Sequence, residues 1–354
     1  MIALAGLSAF VVAATCTGWI LWRGGDRGVV DHPNERSLHR APVSRGGGIA
    51  IAAGVTGGCA VGAYMAAAGP ELLWLAMGAV LVGAVSFADD LRGVSPGLRI
   101  LVHVIAALCV VQGGFQCERI ILPGLTLDLG YPGGVVFTVL VVVWTVNLFN
   151  FMDGIDGYAA GMATIGFTTL AALCALSDEA LLAAATLATG ASAFGFLLFN
   201  FPPARIFMGD LGSTVLGYLC AAAMLAAEHA DAAPLWVSVL IFSPVVVDAT
   251  VTLAARILAG NRPWRAHKNH FSQRLVRLGW GHRKTVLRGY ALMLGCAGSA
   301  VAAHLSGPMV QFVLICGWVV FYAALMLGVA RLERISATAS TPGQGENTPP
   351  GPRR

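Results

Sequence analysis

The sequence predicts an all-α polytopic integral membrane protein with about eleven transmembrane helices and a small β-hairpin in an outer loop. Of its 354 residues, 57% are hydrophobic and only 11% are charged, a balance typical of membrane proteins. The hydrophobic residues form long runs, and the basic residues gather in the loops between alternate runs. The runs long enough to cross a bilayer are 2–22, 47–68, 71–88, 97–114, 134–151, 157–176, 179–200, 212–228, 233–257, 288–306 and 308–330.

The arginine and lysine positions predict how these segments are oriented. The loops that follow odd-numbered segments, together with the C-terminal tail, hold all of the 22 Lys and Arg residues except Arg119. The positive-inside rule places that side in the cytoplasm and the N-terminus outside. The net charge of +4 is therefore explained by orientation and by a phosphate-facing surface, and we expect no nucleic-acid binding.

We expect residues 1–335 to form a single transmembrane domain. Residues 336–354 are rich in Pro, Gly, Ser and Thr, which predicts a disordered cytoplasmic tail. The eight cysteines are scattered and include no C-x-x-C pair. Neither a metal cluster nor a disulfide framework is therefore indicated.

The first cytoplasmic loop reads D-H-P-N-E-R-S-L-H-R-A-P-V-S-R-G-G-G over 31–48. Pro33 and Pro42 break any helix, and the closing glycines allow a tight entry into the second segment. We take Arg36 and His39 as candidate substrate-binding residues. For each arginine of this loop, a simple role as an inside-positive anchor stays open.

The third segment ends in Asp89-Asp90. Adjacent carboxylates point to different faces of a helix, so the two need not share one ligand. They could form a solvated cap, a metal site or a catalytic base. Further along, two short β-like runs flank Pro123-Gly124 in the outer loop 115–133 and predict the hairpin.

The stretch N-L-F-N-F-M-D-G-I-D-G-Y closes the fifth apolar run. Asn147, Asn150, Asp153 and Asp156 recur every third residue, which places them on one slowly drifting helix face. Two carboxylates and two amides at the mouth of a membrane helix are costly without a use. The alternative is a polar helix end followed by a glycine stop.

The seventh segment leads into F-P-P-A-R-I-F-M-G-D-L-G-S-T over 201–214. Asp210 precedes a helix expected to begin near Gly212, which Ser213 and Thr214 can cap. The free N–H groups of that helix end would make an anion site. A plain capping role for Asp210 is the alternative.

Polar residues also mark the ninth segment and the loop after it. Asp248 lies deep in the segment, where an interhelical hydrogen bond is one explanation. In the loop 258–287, His267 and His270 are three residues apart and can face the same way. Zinc would need more ligands than the loop supplies. A cluster of His, Arg and Lys suits phosphate oxygens, and attraction to anionic lipid is the alternative.

Together these motifs resemble the polyprenyl-phosphate N-acetylaminosugar-1-phosphate transferases, a membrane family that includes phospho-N-acetylmuramoyl-pentapeptide transferase. The resemblance extends in order over the first ten segments. Its motifs are D-x-P-N-x-R-x-x-H before G-G-G, the D-D pair, N-x-x-N-F-x-D-G-x-D-G, P-x-R-I-F-M-G-D-x-G-S-T and the cytoplasmic histidine loop.

The resemblance implies transfer of a sugar 1-phosphate from a UDP-sugar to undecaprenyl phosphate, with Mg²⁺ as cofactor and release of UMP. Mn²⁺ is expected to substitute for Mg²⁺. The expected partners are undecaprenyl phosphate, a UDP-N-acetylaminosugar and the lipid bilayer, with a homodimer left open. The expected location is the bacterial inner (cytoplasmic) membrane, with the active site facing the cytoplasm.

The resemblance also implies roles for the motif residues. Asp210 would be the main Mg²⁺ ligand with help from Asn150, and Asp89 or Asp90 would be the base. Asp153 and Asp156 would shape the nucleotide or metal site. The expected substrate-binding residues are Arg36, His39, Asn147, Asn150, Arg205, Arg265, His267 and His270. Whether an aspartate first takes up the phospho-sugar covalently stays open.

The histidine loop departs from two branches of the family. The muramoyl-pentapeptide branch carries three consecutive histidines and the N-acetylglucosamine branch carries H-x-H-H, whereas this chain reads His267-Lys268-Asn269-His270. The loop looks most like that of the O-antigen initiating branch, whose donors are often UDP-N-acetylfucosamine or related sugars. N-acetylglucosamine remains the alternative donor.

Two other classes of function compete with this interpretation. A secondary transporter of an anionic solute would place polar groups near the bilayer midplane in paired repeats. Here the acidic residues lie at cytoplasmic segment ends, apart from Asp248, and the sequence contains no evident repeat. A catalytically inactive scaffold would not need the full set of acidic residues.

Overall fold

The computed structural model describes residues 1–23, 30–31, 43–66, 69–260 and 270–339. The α-helices in these ranges are α1 (Ile2–Arg23), α2 (Gly47–Ala66), α3 (Glu71–Arg92), α4 (Pro96–Gln112), α5 (Gly130–Met152), α6 (Tyr158–Leu176), α7 (Ala180–Asn200), α8 (Gly209–His229), α9 (Leu235–Ile241), α10 (Ser243–Leu258), α11 (Phe271–Leu275), α12 (Gly281–His304) and α13 (Pro308–Ala339). A short π-helix, Val276–Trp280, lies between α11 and α12. The strands are β1 (Val30–Asp31), β2 (Val43–Arg45), β3 (Arg119–Leu122), β4 (Leu125–Asp128) and β5 (Ile206–Phe207).

The helices confirm an all-α, multi-pass membrane protein. Within the described ranges, nine spans are long and apolar enough to cross a bilayer, and a tenth results if α9 and α10 count as one. The shorter apolar helix α4 has 17 residues. Each segment predicted from the sequence overlaps with one of these helices, except the ninth, which overlaps with both α9 and α10. Helix α13 continues to Ala339, and residues 340–354 of the predicted tail lie outside the described residues.

The ninth predicted segment, 233–257, is not one straight helix. Helices α9 and α10 meet at an angle of 87° with Phe242 between them. Pro244 stands in the first turn of α10, where its missing N–H leaves no intrahelical bond unmade. The continuous apolar run concealed this break, because apolar residues fill both arms.

Small residues allow the helices to approach closely. A Cβ placed on Gly54 of α2 would lie 2.7 Å from the carbonyl oxygen of Ala9 in α1 and 2.0 Å from Ser192 Oγ in α7. Such close backbone contact is the usual way in which membrane helices associate. Helix α8 runs through the centre of the bundle and is buried over nearly its whole length.

The sequence did not predict the small sheet that joins two distant motifs. Strand β2 pairs antiparallel with β1 and parallel with β5, so the order is β1-β2-β5. Ser44 lies opposite Ile206, and Arg45 lies opposite Phe207. Strands of two or three residues are too short for an alternating pattern to reveal.

The outer hairpin is confirmed. Strands β3 and β4 pair antiparallel from Arg119–Asp128 to Leu122–Leu125. Pro123 and Gly124 form the turn, in which Gly124 has φ +76°, a conformation that glycine adopts without strain.

Candidate active site

The end of α3 meets the start of α8 through one arginine. Arg99, near the beginning of α4, contacts the Asp89 carboxylate and lies 3.2 Å from Asp210 Oδ2. The backbone N–H of Val94 also donates to Asp89, at 2.6 Å. The structure therefore brings Asp89 and Asp210 together at Arg99. The sequence interpretation counted Arg99 only as an inside-positive charge.

Asp90 makes different contacts from Asp89. Its Oδ1 accepts the N–H of Asp210 and its Oδ2 accepts that of Leu211, both at 3.0 Å. The anion expected at this helix end is therefore a carboxylate of the chain itself. The helix also begins at Gly209, earlier than the expected start near Gly212.

The expected capping by Ser213 and Thr214 is wrong. Ser213 Oγ donates to the carbonyl of Gly209 at 3.1 Å, and Thr214 Oγ1 donates to that of Asp210 at 2.7 Å. Both hydroxyls thus bond back along their own helix, because Asp90 already satisfies the free N–H groups at this end.

The two asparagines of α5 behave differently from one another. Asn150 Nδ2 donates to Ser213 Oγ at 3.2 Å, and its amide also interacts with the Asp210 carboxylate. Asn147 Nδ2 donates to the Val143 carbonyl of its own helix at 2.7 Å. The structure places Asn150 beside Asp210, whereas the amide nitrogen of Asn147 donates within its own helix.

Asp153 follows the last residue of α5. Together with Asp89, Asp90 and Asp210 it forms a group that we call the acidic cluster. Burial and the negative charges of Asp210 and Asp90 raise the pKa of Asp153 well above its usual value, and the charge of Arg45 only partly opposes this rise. This part of the site therefore has an excess of negative charge, which a bound cation would relieve.

Asp156 is held by two neighbouring segments. Its Oδ2 accepts the N–H of Ala204 at 3.0 Å, and its Oδ1 lies 3.2 Å from His282 Nδ1 at the start of α12. Burial acts to raise the pKa of Asp156, but the hydrogen bonds from His282 and Ala204 outweigh it and leave that pKa below its usual value. These contacts fix the loop that carries Asp153.

Two residues missed by sequence reasoning also fix this loop. Asn200, buried at the end of α7, accepts the N–H of Gly157 at 2.9 Å and donates to the Ile206 carbonyl at 2.8 Å. The Tyr290 hydroxyl donates to the Gly157 carbonyl at 2.6 Å. The signal for Asn200 was present, because it is a polar residue at the end of an apolar helix.

The glycine run after β2 brings the first loop to the same place. The N–H of Gly48 donates to the Met208 carbonyl at 2.9 Å, and a Cβ on Gly48 would lie 2.4 Å from the backbone nitrogen of Gly212. The expected tight entry into α2 is therefore a backbone contact between the starts of α2 and α8. Arg36 and His39 lie outside the described residues.

The histidine loop is described only from His270 onward, and Arg265 and His267 lie outside the described residues. His270 is buried, its ring stacks on Phe151 at 6.3 Å, and its Nδ1 lies 3.5 Å from Asp248 Oδ1. Asp248 also accepts the N–H groups of Phe271 at 2.7 Å and Ser272 at 3.1 Å. Asp248 thus fixes the start of α11.

Arg205 lies exposed at the edge of the site. Its guanidinium stands 5.8 Å from the centre of the Phe199 ring, and its N–H donates to the Phe199 carbonyl at 2.9 Å. The side chain is thus positioned by a cation–π contact. Its predicted binding of substrate stays a prediction.

Among the described residues, no three His, Cys, Asp or Glu side chains form a preassembled metal site. The acidic side chains instead converge from the ends of α3, α5 and α8, with Arg99 and Arg45 beside them. Fold and candidate site together are those of a polytopic membrane protein whose acidic side chains gather at one end of the helices.

Comparisons with known proteins identify the family. The profile of glycosyl transferase family 4 matches residues 72–228. A probable undecaprenyl-phosphate N-acetylglucosaminyl 1-phosphate transferase of Bacillus subtilis (strain 168) is 32% identical over 75% of this chain and 74% of its own length. The chain belongs to glycosyl transferase family 4 and is a sugar-phosphate transferase.

Two further relatives cover different branches. The decaprenyl-phosphate N-acetylglucosaminephosphotransferase of Mycolicibacterium smegmatis is 27% identical over 94% of this chain and 89% of its own length. The phospho-N-acetylmuramoyl-pentapeptide-transferase of Pelotomaculum thermopropionicum is 31% identical over 75% of this chain and 86% of its own length. The likeness to both extends beyond the span of the family profile.

Proposed function

We propose that the protein transfers an N-acetylaminosugar 1-phosphate from a UDP-sugar to undecaprenyl phosphate at the cytoplasmic face of the bacterial inner membrane, with release of UMP. The product would initiate a lipid-linked cell-surface polysaccharide such as O-antigen. The observation that carries this proposal is the convergence of Asp89, Asp210 and Asp153 with Arg99 at helix ends, in a chain whose relatives are named for such transfers.

Mg²⁺ fits the donor set at this site. Mg²⁺ is commonly bound through one or two carboxylates together with water and substrate phosphates, so the lack of a three-ligand cluster is no obstacle. The Asp210 carboxylate and the neighbouring Asn150 amide would hold it, and Asp153 would benefit from its charge. When bound, Mg²⁺ would screen the two anionic reactants and the leaving UMP. Mn²⁺ accepts similar oxygen ligands and would substitute.

The residues of the chain mainly position the reactants. The acceptor is a phosphate monoester with a second pKa of about 6, so it is largely ionised at neutral pH without a base. Asp90 is fully used in holding the start of α8, which leaves Asp89 as the better candidate for a base. Arg99 would hold the Asp89 and Asp210 side chains close together, and its remaining N–H groups would donate to phosphate oxygens.

The remaining predicted residues would surround the donor diphosphate. His270 lies in the loop that enters α11, and Arg265, His267, Arg36 and His39 belong to the two cytoplasmic loops that the motifs marked. Charge-assisted hydrogen bonds from such groups suit phosphate oxygens. Asp156 would act by holding the Asp153 loop against Ala204 and His282.

Two observations favour different donor sugars. The histidine loop resembles the branch that uses N-acetylfucosamine, whereas two relatives are named for N-acetylglucosamine. We retain both sugars as candidate donors. The homodimer also stays a prediction.

One feature favours a secondary transporter of an anionic solute, the alternative class of function. It is the broken α9–α10 pair, because secondary transporters also use discontinuous helices. In transporters the N-termini of the half-helices bind anionic groups of the solute, and freed backbone carbonyls coordinate the coupling cation. Here the Asp248 carboxylate already accepts bonds from Phe271 and Ser272. A transferase therefore explains the acidic side chains at the helix ends, whereas a transporter leaves them without a function.

A donor screen tests the proposal. Purified protein is incubated with undecaprenyl phosphate, Mg²⁺ and one of several UDP-sugars, and UMP release is measured. UDP-N-acetylfucosamine or UDP-N-acetylglucosamine should release UMP only when the lipid is present. Uptake of intact UDP-sugar into proteoliposomes without UMP release would instead support a transporter.

A further inference from the structure

A cavity of about 820 Å³ opens between α10, α12 and α13. Its wall is largely apolar and includes Val247 of α10, Leu292 and Gly295 of α12, and Phe321 and Leu325 of α13. We call this cavity the α13 groove. It lies within the apolar part of the bundle and is open at its side.

The groove exists because α13 is attached to the bundle at two levels. The Tyr322 hydroxyl lies 2.8 Å from Ser243 Oγ in α10, and Glu333 pairs with Arg274 of α11. The groove extends past Tyr322 along α12. A Cβ on Gly295 would lie 3.5 Å from Trp318, an ordinary van der Waals distance, so a small side chain has room between α12 and α13 at this level.

An apolar groove of this size inside a bilayer will be filled by hydrocarbon. Water gains few hydrogen bonds in an apolar cavity, and an empty space forfeits the van der Waals contacts of its lining. Acyl chains of the surrounding bilayer are the apolar groups at hand. The groove therefore suits the chains of a lipid.

The cytoplasmic mouth of the groove is basic. Trp280 and Arg288 both line it, and the Arg288 guanidinium stands 4.1 Å from the centre of the Trp280 ring. Lys284 lies over the same ring at 5.0 Å. Tryptophan with basic residues marks the membrane interface, and these cations complement the phosphate of an anionic lipid.

Helices α6 and α12 close the groove toward the acidic cluster. A Cβ on Gly289 would lie 2.7 Å from the Tyr158 ring, and one on Gly161 would lie 2.0 Å from the Tyr290 ring. Not even a methyl group fits between these helices at those points. At these two points the helices therefore separate a lipid phosphate beside Arg288 from the Asp153–Gly157 loop.

We propose that the α13 groove binds an anionic glycerophospholipid as a non-reacting lipid that fastens α13 to the bundle. The acyl chains occupy the groove, and the phosphate lies beside Arg288 under Trp280. This site is separate from the proposed transfer reaction, and its test requires no activity measurement.

The test compares lipid-dependent stability among matched variants of the full chain in detergent. Gly295→Leu fills the groove, whereas Gly298→Leu places the same side chain one turn away on α12, where a Cβ meets nothing within 4 Å. Arg288→Ala removes the cation at the mouth, and Arg331→Ala removes an exposed arginine of α13 outside the groove. Phosphatidylglycerol or phosphatidylcholine is titrated, and the apparent melting temperature and the lipid retained in native mass spectra are recorded.

We expect saturating phosphatidylglycerol to raise the melting temperature of the wild type, Gly298→Leu and Arg331→Ala by about 3 °C or more. Gly295→Leu should lose the response to both lipids, and Arg288→Ala should lose the preference for phosphatidylglycerol. A full response in Gly295→Leu, or an unchanged preference in Arg288→Ala, would overturn the proposal. So would displacement of phosphatidylglycerol by undecaprenyl phosphate, because the groove would then hold the acceptor. If Gly295→Leu does not fold, the comparison of Arg288→Ala with Arg331→Ala still tests the proposal.

Discussion

Asp90 and Asp210 are joined through the backbone: the carboxylate of Asp90 accepts the N–H of Asp210 at 3.0 Å and that of the next residue at the same distance. A carboxylate from α3 thus sets the start of α8 and the position of the Asp210 side chain. Asp89, one residue earlier, contacts Arg99 instead. The D-D pair therefore contains one structural carboxylate, Asp90, and one carboxylate, Asp89, that pairs with Arg99.

The first prediction concerns Asp90. Asp90→Ala leaves two N–H groups without their acceptor and should cost about 1–2 kcal/mol of unfolding free energy, as the loss of a helix cap does. Asp90→Asn keeps one acceptor oxygen and should cost less, and turnover should fall in the same order. Chemical unfolding and UMP release measure the two effects. Asp128→Ala, which removes a similar bond to the Gly130 N–H at 2.8 Å in the outer loop, should lower stability without lowering turnover.

A catalytic base at Asp90 would behave differently. Asp90→Asn would then stop turnover while stability stayed at the wild-type value. That result would return Asp90 to the chemistry and leave the start of α8 without its proposed anchor.

The sequence predicted which segments meet but not how each side chain is used. Polar residues at segment ends on one side of a membrane must come together in a bundle, and Asp89, Asp153 and Asp210 do so. Which neighbour each adjacent carboxylate reaches depends on the rotation of α3 against α8, and periodicity does not determine that rotation. Asn200 and Arg99 were missed because each has a partner distant in sequence, Gly157 for Asn200 and Asp210 for Arg99.

The second prediction concerns pH and Asp153. The pKa of Asp153 is raised in the folded state, so the wild type loses stability as pH rises from the usual aspartate pKa of about 3.9 to the raised value. Asp153→Asn has no such loss. It should equal the wild type at low pH and exceed it in melting temperature at pH 8 without divalent cations.

Mg²⁺ should reduce that difference, because a nearby cation favours the ionised carboxylate. Asp178→Asn makes the same change at an exposed outer residue with φ 63°, a conformation that Asn tolerates, and should show no pH-dependent difference. A constant gap between wild type and Asp153→Asn at every pH would show that the Asp153 pKa is not raised.

The third prediction separates a phosphate clamp from a lipid anchor. A clamp acts through directed hydrogen bonds, and His267→Ala and His270→Ala each remove one imidazole from the loop. Lys284→Ala removes a full charge that lies over Trp280. A clamp predicts a large loss of kcat or donor affinity for the histidine variants and a mild effect for Lys284→Ala. UMP release in one detergent–lipid mixture measures all three variants.

His270 needs a further control because it is also buried against Phe151 and Asp248. Asp248→Asn loses acceptor capacity for Phe271 and Ser272 and should cost about 1–3 kcal/mol of stability. If His270 acts only in packing, His270→Ala should lower stability and leave donor affinity unchanged. Near-normal rates for both histidine variants would remove them from the site.

The fourth prediction concerns orientation. In a chain freed of its native cysteines, Gly97→Cys, at an exposed position with open space around it, should be shielded from an impermeant reagent in intact cells. Thr126→Cys in the exposed outer strand β4 should react. Labelling of Gly97→Cys from outside would reverse the topology and separate the site from cytoplasmic UDP-sugars.

The most direct measurement combines Asp210 and the metal. UMP and the lipid-linked sugar phosphate are quantified together for the wild type, Asp210→Asn and the matched outer-loop variant Asp178→Asn, with Mg²⁺, with EDTA, and with Mn²⁺ added after EDTA. The wild type and Asp178→Asn should form equal amounts of the two products with Mg²⁺, none with EDTA, and should recover with Mn²⁺. Asp210→Asn should insert and fold but form neither product. Turnover that persists in EDTA, or in folded Asp210→Asn, would contradict the account.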